Sequence, residues 1–273
     1  MNDQPLPLVR VLYFAKSYEQ RRPLSKAKFT VQAFNGVNLT INRGKTLALV
    51  GESGAGKSSL ARCLALLETP TSGELWLDGL NLLTFGRRQV SVMRRQIQLI
   101  FQDPVSALNP RLSAGEIVAE PLLIQKEGTK TERRQRALEL MDQVGLPRNS
   151  ERKLPHEFSG GQKQRLAIAR ALTLHPKLLI FDEALSNLDI ANQEQILKLL
   201  SDLQTEHSLT YLHVSHDLRL VSQFADEIAV MHEGKIVEQE EAPELFARPK
   251  HLYTQELLAA MPSLESICEE RFA

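Results

Sequence analysis

Residues 46–67 read TLALVGESGAGKSSLARCLALL, and the fold turns on this stretch. Thr46–Val50 is an apolar run of strand length, and Leu60, Leu64 and Leu67 recur at helical spacing. Between them Gly51–Ser59, GESGAGKSS, fits G-x-x-x-x-G-K-[S/T], a loop between strand and helix. Glycines let successive backbone N–H groups turn inward around a phosphate chain, and the helix N-terminus adds its positive end. The cradle is therefore Gly51, Glu52, Ser53, Gly54, Ala55, Gly56, Lys57, Ser58 and Ser59. Lys57 is expected to bridge the β- and γ-phosphates and Ser58 to place its hydroxyl on Mg²⁺. A glycine-rich turn with an incidental lysine is the competing reading, and the strand–loop–helix context opposes it. A nucleoside triphosphate is the expected ligand.

Composition narrows the setting. The chain has 273 residues, 42% apolar and 24% charged, with Lys+Arg and Asp+Glu equal at 33 each. A net charge of zero argues against a nucleic-acid protein that relies on bulk electrostatics. No apolar run reaches the roughly 18 residues of a membrane span. The opening MNDQPLPLVRVLYF lacks a basic region leading into a long apolar one, so no secretory signal is expected. Cys63 and Cys268 have no metal-ligand spacing and are expected to be reduced thiols in the cytoplasm.

Outward from the cradle, TVQAFNGVNLTI and GELWLDG are β-like runs, with Asn-Arg-Gly and Asp-Gly as hairpin signals. From Leu80 to about Leu174 the sequence turns charged and helix-forming, and Ala137, Leu138, Met141 and Val144 make an apolar stripe. KLLIFDEA then suits a buried parallel strand, followed by the helix EQILKLLSDLQ, the strand TYLHVSHD and a late hairpin, DEIAVMHEGKIVEQ. A short tail is expected after about Glu240. The basic stretch GRRQVSVMRRQ (86–96) is read as a solvated helical face, with a membrane-subunit or lipid contact as the alternative.

Two further features carry chemistry. The strand ending in Asp182-Glu183 can deliver Asp182 to a Mg²⁺ shell, directly or through water, and aim Glu183 at an attacking water as general base. A strand that simply exits into solvent through two acids is the competing reading. In FSGGQKQRLAIAR (158–170) Ser159 is a good N-cap, and Gly160 and Gly161 bare the N–H groups of the first turn, making a second anion site. A close helix–helix approach that needs glycine is the competing reading, which the other motifs oppose.

Taken in order, the cradle, LIFQDPVSALNPR, FSGGQKQR, LLIFDEALSNLD and HVSHD resemble the ATP-binding subunits of ABC transporters, over nearly the whole chain. The resemblance implies an α/β P-loop NTPase core with an N-terminal antiparallel β subdomain and an inserted helical subdomain at about 87–177. An ABC ATP-binding domain would span 7–247 and a C-terminal extension 248–273. It implies a head-to-tail dimer in which Ser159, Gly160, Gly161 and Gln162 of one subunit cap the ATP held by the other. It makes Gln102 the glutamine that meets Mg²⁺ and water, Asp189 a dimer contact and His216 the switch that touches the γ-phosphate. Tyr18 is the candidate for stacking on adenine, with Tyr13 and Phe14 as neighbours that could equally be core. Three positions depart from the family pattern: Phe158 for leucine, Ser59 for threonine, and Ala184 for proline, which predicts a looser turn after Glu183.

QDPVSALNPR, EPLLI and the tail GKIVEQEEAPELFARPKHLYTQELLAAMP resemble subunits that import oligopeptides, dipeptides or nickel chelates. That implies two transmembrane permease subunits, an indirect extracytoplasmic binding protein, and a peripheral position on the cytoplasmic face of the inner membrane. With only Cys268 near the C-terminus, no iron–sulfur cluster is expected. The runner-up is an ATPase subunit of a non-transport complex, such as a phosphonate-degrading one. A nucleic-acid ABC ATPase fits less well, because this chain has neither a long coiled-coil insertion nor a second cradle, and a P-loop kinase would have no need of SGGQ.

Overall fold

The structure, a computed structural model, describes residues 6–21, 28–103, 107–186 and 188–260. They form two compact units: the residues up to Arg94 together with those from Thr210, and Arg95–Leu209.

The first unit opens with two long strands, β1 (Val9–Arg21) and β2 (Lys28–Ile41). Then come β3 (Thr46–Val50), α1 (Lys57–Leu64), β4 (Ser72–Leu77), β5 (Leu80–Asn81) and α2 (Arg87–Met93). β2, β1, β4 and β5 lie side by side in an antiparallel sheet, the expected N-terminal subdomain. Phe14 is fully buried, stacked on Phe34 at 5.7 Å between ring centres. The Asp78-Gly79 signal makes a hairpin, both residues at positive φ (54° and 77°), as a two-residue turn demands. Asn42-Arg43-Gly44 does not make one: it turns the chain, but β2 and β3 belong to different sheets. Turn chemistry specifies the reversal, not the pairing.

α1 stops earlier than its leucines suggested. The Leu67 N–H donates to the Arg62 carbonyl (2.9 Å) and the Leu66 N–H to Cys63 (3.0 Å), with Leu66 at φ 58°. This is a Schellman closure made without glycine. Leu60 and Leu64 are buried, while Leu67, past the closure, is half exposed. On α2, Arg87 and Arg88 are exposed, in keeping with a solvated face.

The second unit contains β6 (Ile97–Ile100), α3 (Ala114–Gln125), α4 (Lys130–Gln143), α5 (Gly160–Leu172), β7 (Leu178–Asp182) and α6 (Ile190–His207). α3 and α4 start with reciprocal caps, Ser113 with Glu116 and Thr129 with Glu132. α3, α4 and α5 pack on one another. The apolar face of α4 runs through Ala137, Leu140 and Met141 to Val144, with Leu140 in the place expected of Leu138. At about 100° per residue, Leu140 lies nearer the centre of that face than Leu138. β7 is buried at every residue and runs parallel to β6, Ile100 opposite Phe181.

The chain completes the first unit with β8 (Thr210–Val214), α7 (Leu218–Ser222), β9 (Glu227–His232), β10 (Lys235–Glu241), α8 (Ala242–Ala247) and α9 (Leu252–Ala259). β3 lies between β8 and β9, parallel to both, and β10 closes an antiparallel hairpin with β9. The expected tail is more than a tail. α8 and α9 are ordered helices, and Tyr253 joins the core cluster of Ala48, Val50, Ile228 and Val230.

Candidate functional site

β3 delivers the cradle. Its five buried residues end at Gly51 (φ 144°), followed by Gly54 (φ 86°) and Gly56 (φ 103°). At Gly51 and Gly56 no other residue would fit. A Cβ would lie 2.1 Å from the Met231 carbonyl oxygen at the first, and 2.4 Å from that of Ala33 at the second. The β9–β10 turn braces the loop, the Gly234 N–H donating to the Ala55 carbonyl (3.1 Å). Gly56 is the N-cap of α1 and offers no side chain to its first turn, and no acid occupies that turn. A positive helix end is left for an anion. Lys57 is almost fully buried, and its Nζ donates to the carbonyls of Gly51 (2.6 Å) and Glu52 (2.8 Å), folded onto its own loop.

Tyr18 stands beside this loop. Its hydroxyl donates to Glu68 Oε2 (2.5 Å) and lies 3.2 Å from Ser59 Oγ, while Lys16 Nζ sits 4.8 Å from the ring centre. Burial, then the Glu68 carboxylate, raise the phenol above its ordinary pKa. The neighbouring aromatics divide: Phe14 is core and Tyr13 is exposed. His216 is exposed just past β8. Leu49 pairs with Val214 and the Ser215 N–H donates to the Leu49 carbonyl (3.1 Å), so His216 stands at the same sheet end as the cradle. His213, within β8, is buried with its ring edge-on to Phe224, and burial pushes its pKa down to about 3. It is a core histidine.

In the second unit, the β6–β7 register brings Gln102 and Glu183 to one end, each two residues past the Ile100–Phe181 pair. Gln102 is exposed, Asp182 buried and Glu183 half-buried. Glu183 adopts φ 52°, a left-handed conformation that costs an L-residue energy and marks a constrained site. The turn after it is fastened rather than loose, despite Ala184. The Ser186 hydroxyl donates to the Glu183 carbonyl (2.7 Å), and Gln193 Nε2 to that of Leu185 (3.1 Å).

The first turn of α5 is a capping box: Ser159 Oγ accepts from Gln162 N–H (3.4 Å) and Gln162 Oε1 from Ser159 N–H (3.0 Å). Its two glycines divide the two readings of the motif. A Cβ on Gly161 would meet Asn192 Oδ1 at 2.6 Å, whereas on Gly160 the nearest atom is Leu188 Cδ2 at 3.9 Å. Packing therefore explains Gly161 and leaves Gly160 without a packing reason. Asp189 caps α6, accepting from the Asn192 N–H (3.0 Å) and Nδ2 (2.6 Å), and these bonds hold its carboxyl below the usual range. Asn192 thus links Asp189 to the glycine helix.

The sequence reading missed Asn192, Glu68 and the pair His232 and Tyr253. No local pattern marks them, because each acts on a residue distant in the chain. Cys63 is a buried thiol whose pKa burial pushes up to about 12, an unreactive core group. Cys268 lies outside the described residues.

A family profile described as ABC transporter matches residues 34–186. The dipeptide transport ATP-binding protein DppF of Escherichia coli (strain K12) is 45% identical over 258 residues, covering 94% of this chain and 77% of that protein. The di/tripeptide transport ATP-binding protein DppF of Pseudomonas aeruginosa (strain UCBPP-PA14) is 45% identical over 249 residues, 91% of this chain and 77% of that one. Among solved structures, the dimeric post-hydrolysis state of the ATP-binding cassette MJ0796 bound to ADP and Pi is similar at a TM-score of 0.75 and 31% identity, over 86% of this chain and 98% of that one. CbiO1 from Clostridium perfringens, part of the ABC transporter complex cbiONQ, is similar at a TM-score of 0.77 and 28% identity, over 96% and 99%.

Proposed function

Because this chain belongs to the ABC transporter family of ATP-binding subunits, we propose that it powers an importer of short peptides by hydrolysing ATP between two such subunits. The fold is that of a P-loop ABC ATPase, and the chain is an ATPase. The observation that carries the reading is the loop Gly51–Ser59, with two glycines fixed by backbone contacts and a buried lysine folded over it.

ATP enters the cradle, Lys57 exchanges the Gly51 and Glu52 carbonyls for the β- and γ-phosphates, and Tyr18 stacks on adenine. Glu183 takes the proton of the attacking water, Gln102 orients that water, and His216 holds the γ-phosphate. Ser58, Gln102 and Asp182 offer a hydroxyl, an amide oxygen and a carboxylate, hard oxygen donors that suit Mg²⁺. Among the described residues no three His, Cys, Asp or Glu side chains cluster as a metal site. When bound, Mg²⁺ supplies charge neutralisation at the phosphates. Ser159, Gly160, Gly161 and Gln162, with Asp189, face the nucleotide of a second subunit, joined head to tail.

The names of the curated relatives support peptides as cargo; nickel or metal chelates are the alternative. Two permease subunits and, indirectly, an extracytoplasmic binding protein complete the assembly, without nucleic acid, and the chain sits peripherally on the cytoplasmic face of the inner membrane. No helix among the described residues is long and apolar enough to cross a membrane itself. The test is Glu183→Gln in the assembled transporter. It should keep ATP binding, lower ATP turnover by about 10²–10⁴ and stop dipeptide uptake. Turnover at the unaltered rate removes Glu183 as the base, and nickel uptake without dipeptide uptake removes the cargo assignment.

A further inference from the structure

We propose that Tyr253, in the C-terminal helix α9, is a positioning residue of the phosphate cradle: its hydroxyl holds the Gly51–Glu52 peptide in the shape that receives a triphosphate. The proposal rests on the cradle reading of Gly51–Ser59.

That peptide is gripped at both ends. Tyr253 Oη accepts its N–H, from Glu52, at 3.1 Å, and Lys57 Nζ donates to its carbonyl, on Gly51, at 2.6 Å. The two grips differ in what ATP does to them. When Lys57 turns to the phosphates, the Gly51 carbonyl gives up the lysine, and the tyrosine bond remains. The peptide most needs that hold, because Gly51 sits at φ 144° against the Met231 carbonyl.

Tyr253 is itself held from elsewhere. Its ring stacks on His232 at 3.8 Å between centres and 25° between planes, next in sequence to Met231. The turn before α9 is tied to β10: Glu238 accepts the N–H groups of Lys250 (2.8 Å) and His251 (3.0 Å), and His251 Nδ1 accepts that of Tyr253 (3.2 Å). The loop thus rests on a tyrosine fixed independently of it, 201 residues along the chain. A phenylalanine would fill the same space and keep the stack; only the hydroxyl reaches the loop.

Tyr253→Phe is therefore the test. A hydrogen bond of ordinary net strength predicts a Kd for a fluorescent N-methylanthraniloyl-ATP about 3- to 10-fold weaker in the purified full chain. KM for ATP should rise by the same factor in the assembled transporter, with kcat within about twofold. The melting temperature should fall by no more than the few degrees that one hydrogen bond contributes, since burial is kept. Unchanged Kd and KM, or a lower melting temperature with unchanged Kd, overturns the proposal and leaves Tyr253 a packing residue. The unaltered chain gives a second measurement: its Glu52 amide should exchange slowly without nucleotide, and fast exchange there overturns the proposal too. Lys57→Ala separates the premises. Undiminished nucleotide binding by that variant sinks the cradle reading, whereas lost binding beside an unaffected Tyr253→Phe sinks only the role of the tyrosine.

Discussion

Replacing Gly160 and Gly161 singly by alanine separates a working surface from a packing contact. A methyl on Gly160 meets nothing closer than Leu188 Cδ2 at 3.9 Å. The change should therefore stabilise the fold by up to about 0.5–1 kcal/mol, the usual difference between alanine and glycine in a helix. For a chain of this size that raises the melting temperature by about 1–4 °C. A methyl on Gly161 would stand 2.6 Å from Asn192 Oδ1 and displace a side chain whose Nδ2 donates to Asp189 (2.6 Å). Losing that bond and crowding the site together cost about 1–3 kcal/mol, more than the helix gain, so the melting temperature falls by a few degrees. In the function proposed above, the first turn of α5 meets the partner's nucleotide through bare backbone, which a methyl would cover. Gly160→Ala should then lower ATP turnover of the assembled transporter by at least about tenfold, roughly one charge-assisted hydrogen bond, in a protein more stable than the original. Thermal melts and steady-state phosphate release read the two quantities. A Gly160→Ala protein that melts higher and turns over ATP within twofold of the original refutes the reasoning: the exposed glycine would have neither a packing nor a nucleotide role.

Gly51→Ala places a methyl 2.1 Å from a backbone oxygen at φ 144°, so the loop must shift. Nucleotide binding should fall below detection in equilibrium titration while far-UV circular dichroism stays unchanged. His213 is held neutral, with a pKa of about 3 in the folded chain. Between that value and about 6.5 only the unfolded chain takes up the proton, so stability is complete above about pH 6.5 and falls with acidity, by about 1.4 kcal/mol at pH 5.5. As pH drops from 7 to 5 the urea midpoint of the original should fall relative to that of His213→Phe, and a constant difference between them would contradict the assignment.

What the sequence yielded and what it withheld divide along the range of the interactions. The cradle was legible because a strand, a glycine loop and a helix are contiguous, and each glycine answers a backbone demand made within a few residues. The place of Asp182 and Glu183 was legible because a continuous apolar run marks a buried strand and the two acids mark its end. The same local logic failed where distant chain decides. Asn42-Arg43-Gly44 reads as a hairpin yet turns between two sheets, since pairing belongs to strands elsewhere. Leu67 continues the leucine spacing of α1 but falls beyond a closure made by backbone bonds, which leave no mark on side-chain periodicity. Gly161 reads as a phosphate glycine like its neighbour, and only the position of Asn192, 31 residues on, gives it a packing duty. Tyr253 is the extreme case. Its local sequence reads as part of a short tail, while its hydroxyl reaches the loop that opens the nucleotide site. A motif names the groups that touch the ligand. The residues that hold those groups in place come from wherever the fold brings chain past them, so they must be found by asking what each end of each cradle peptide is bonded to.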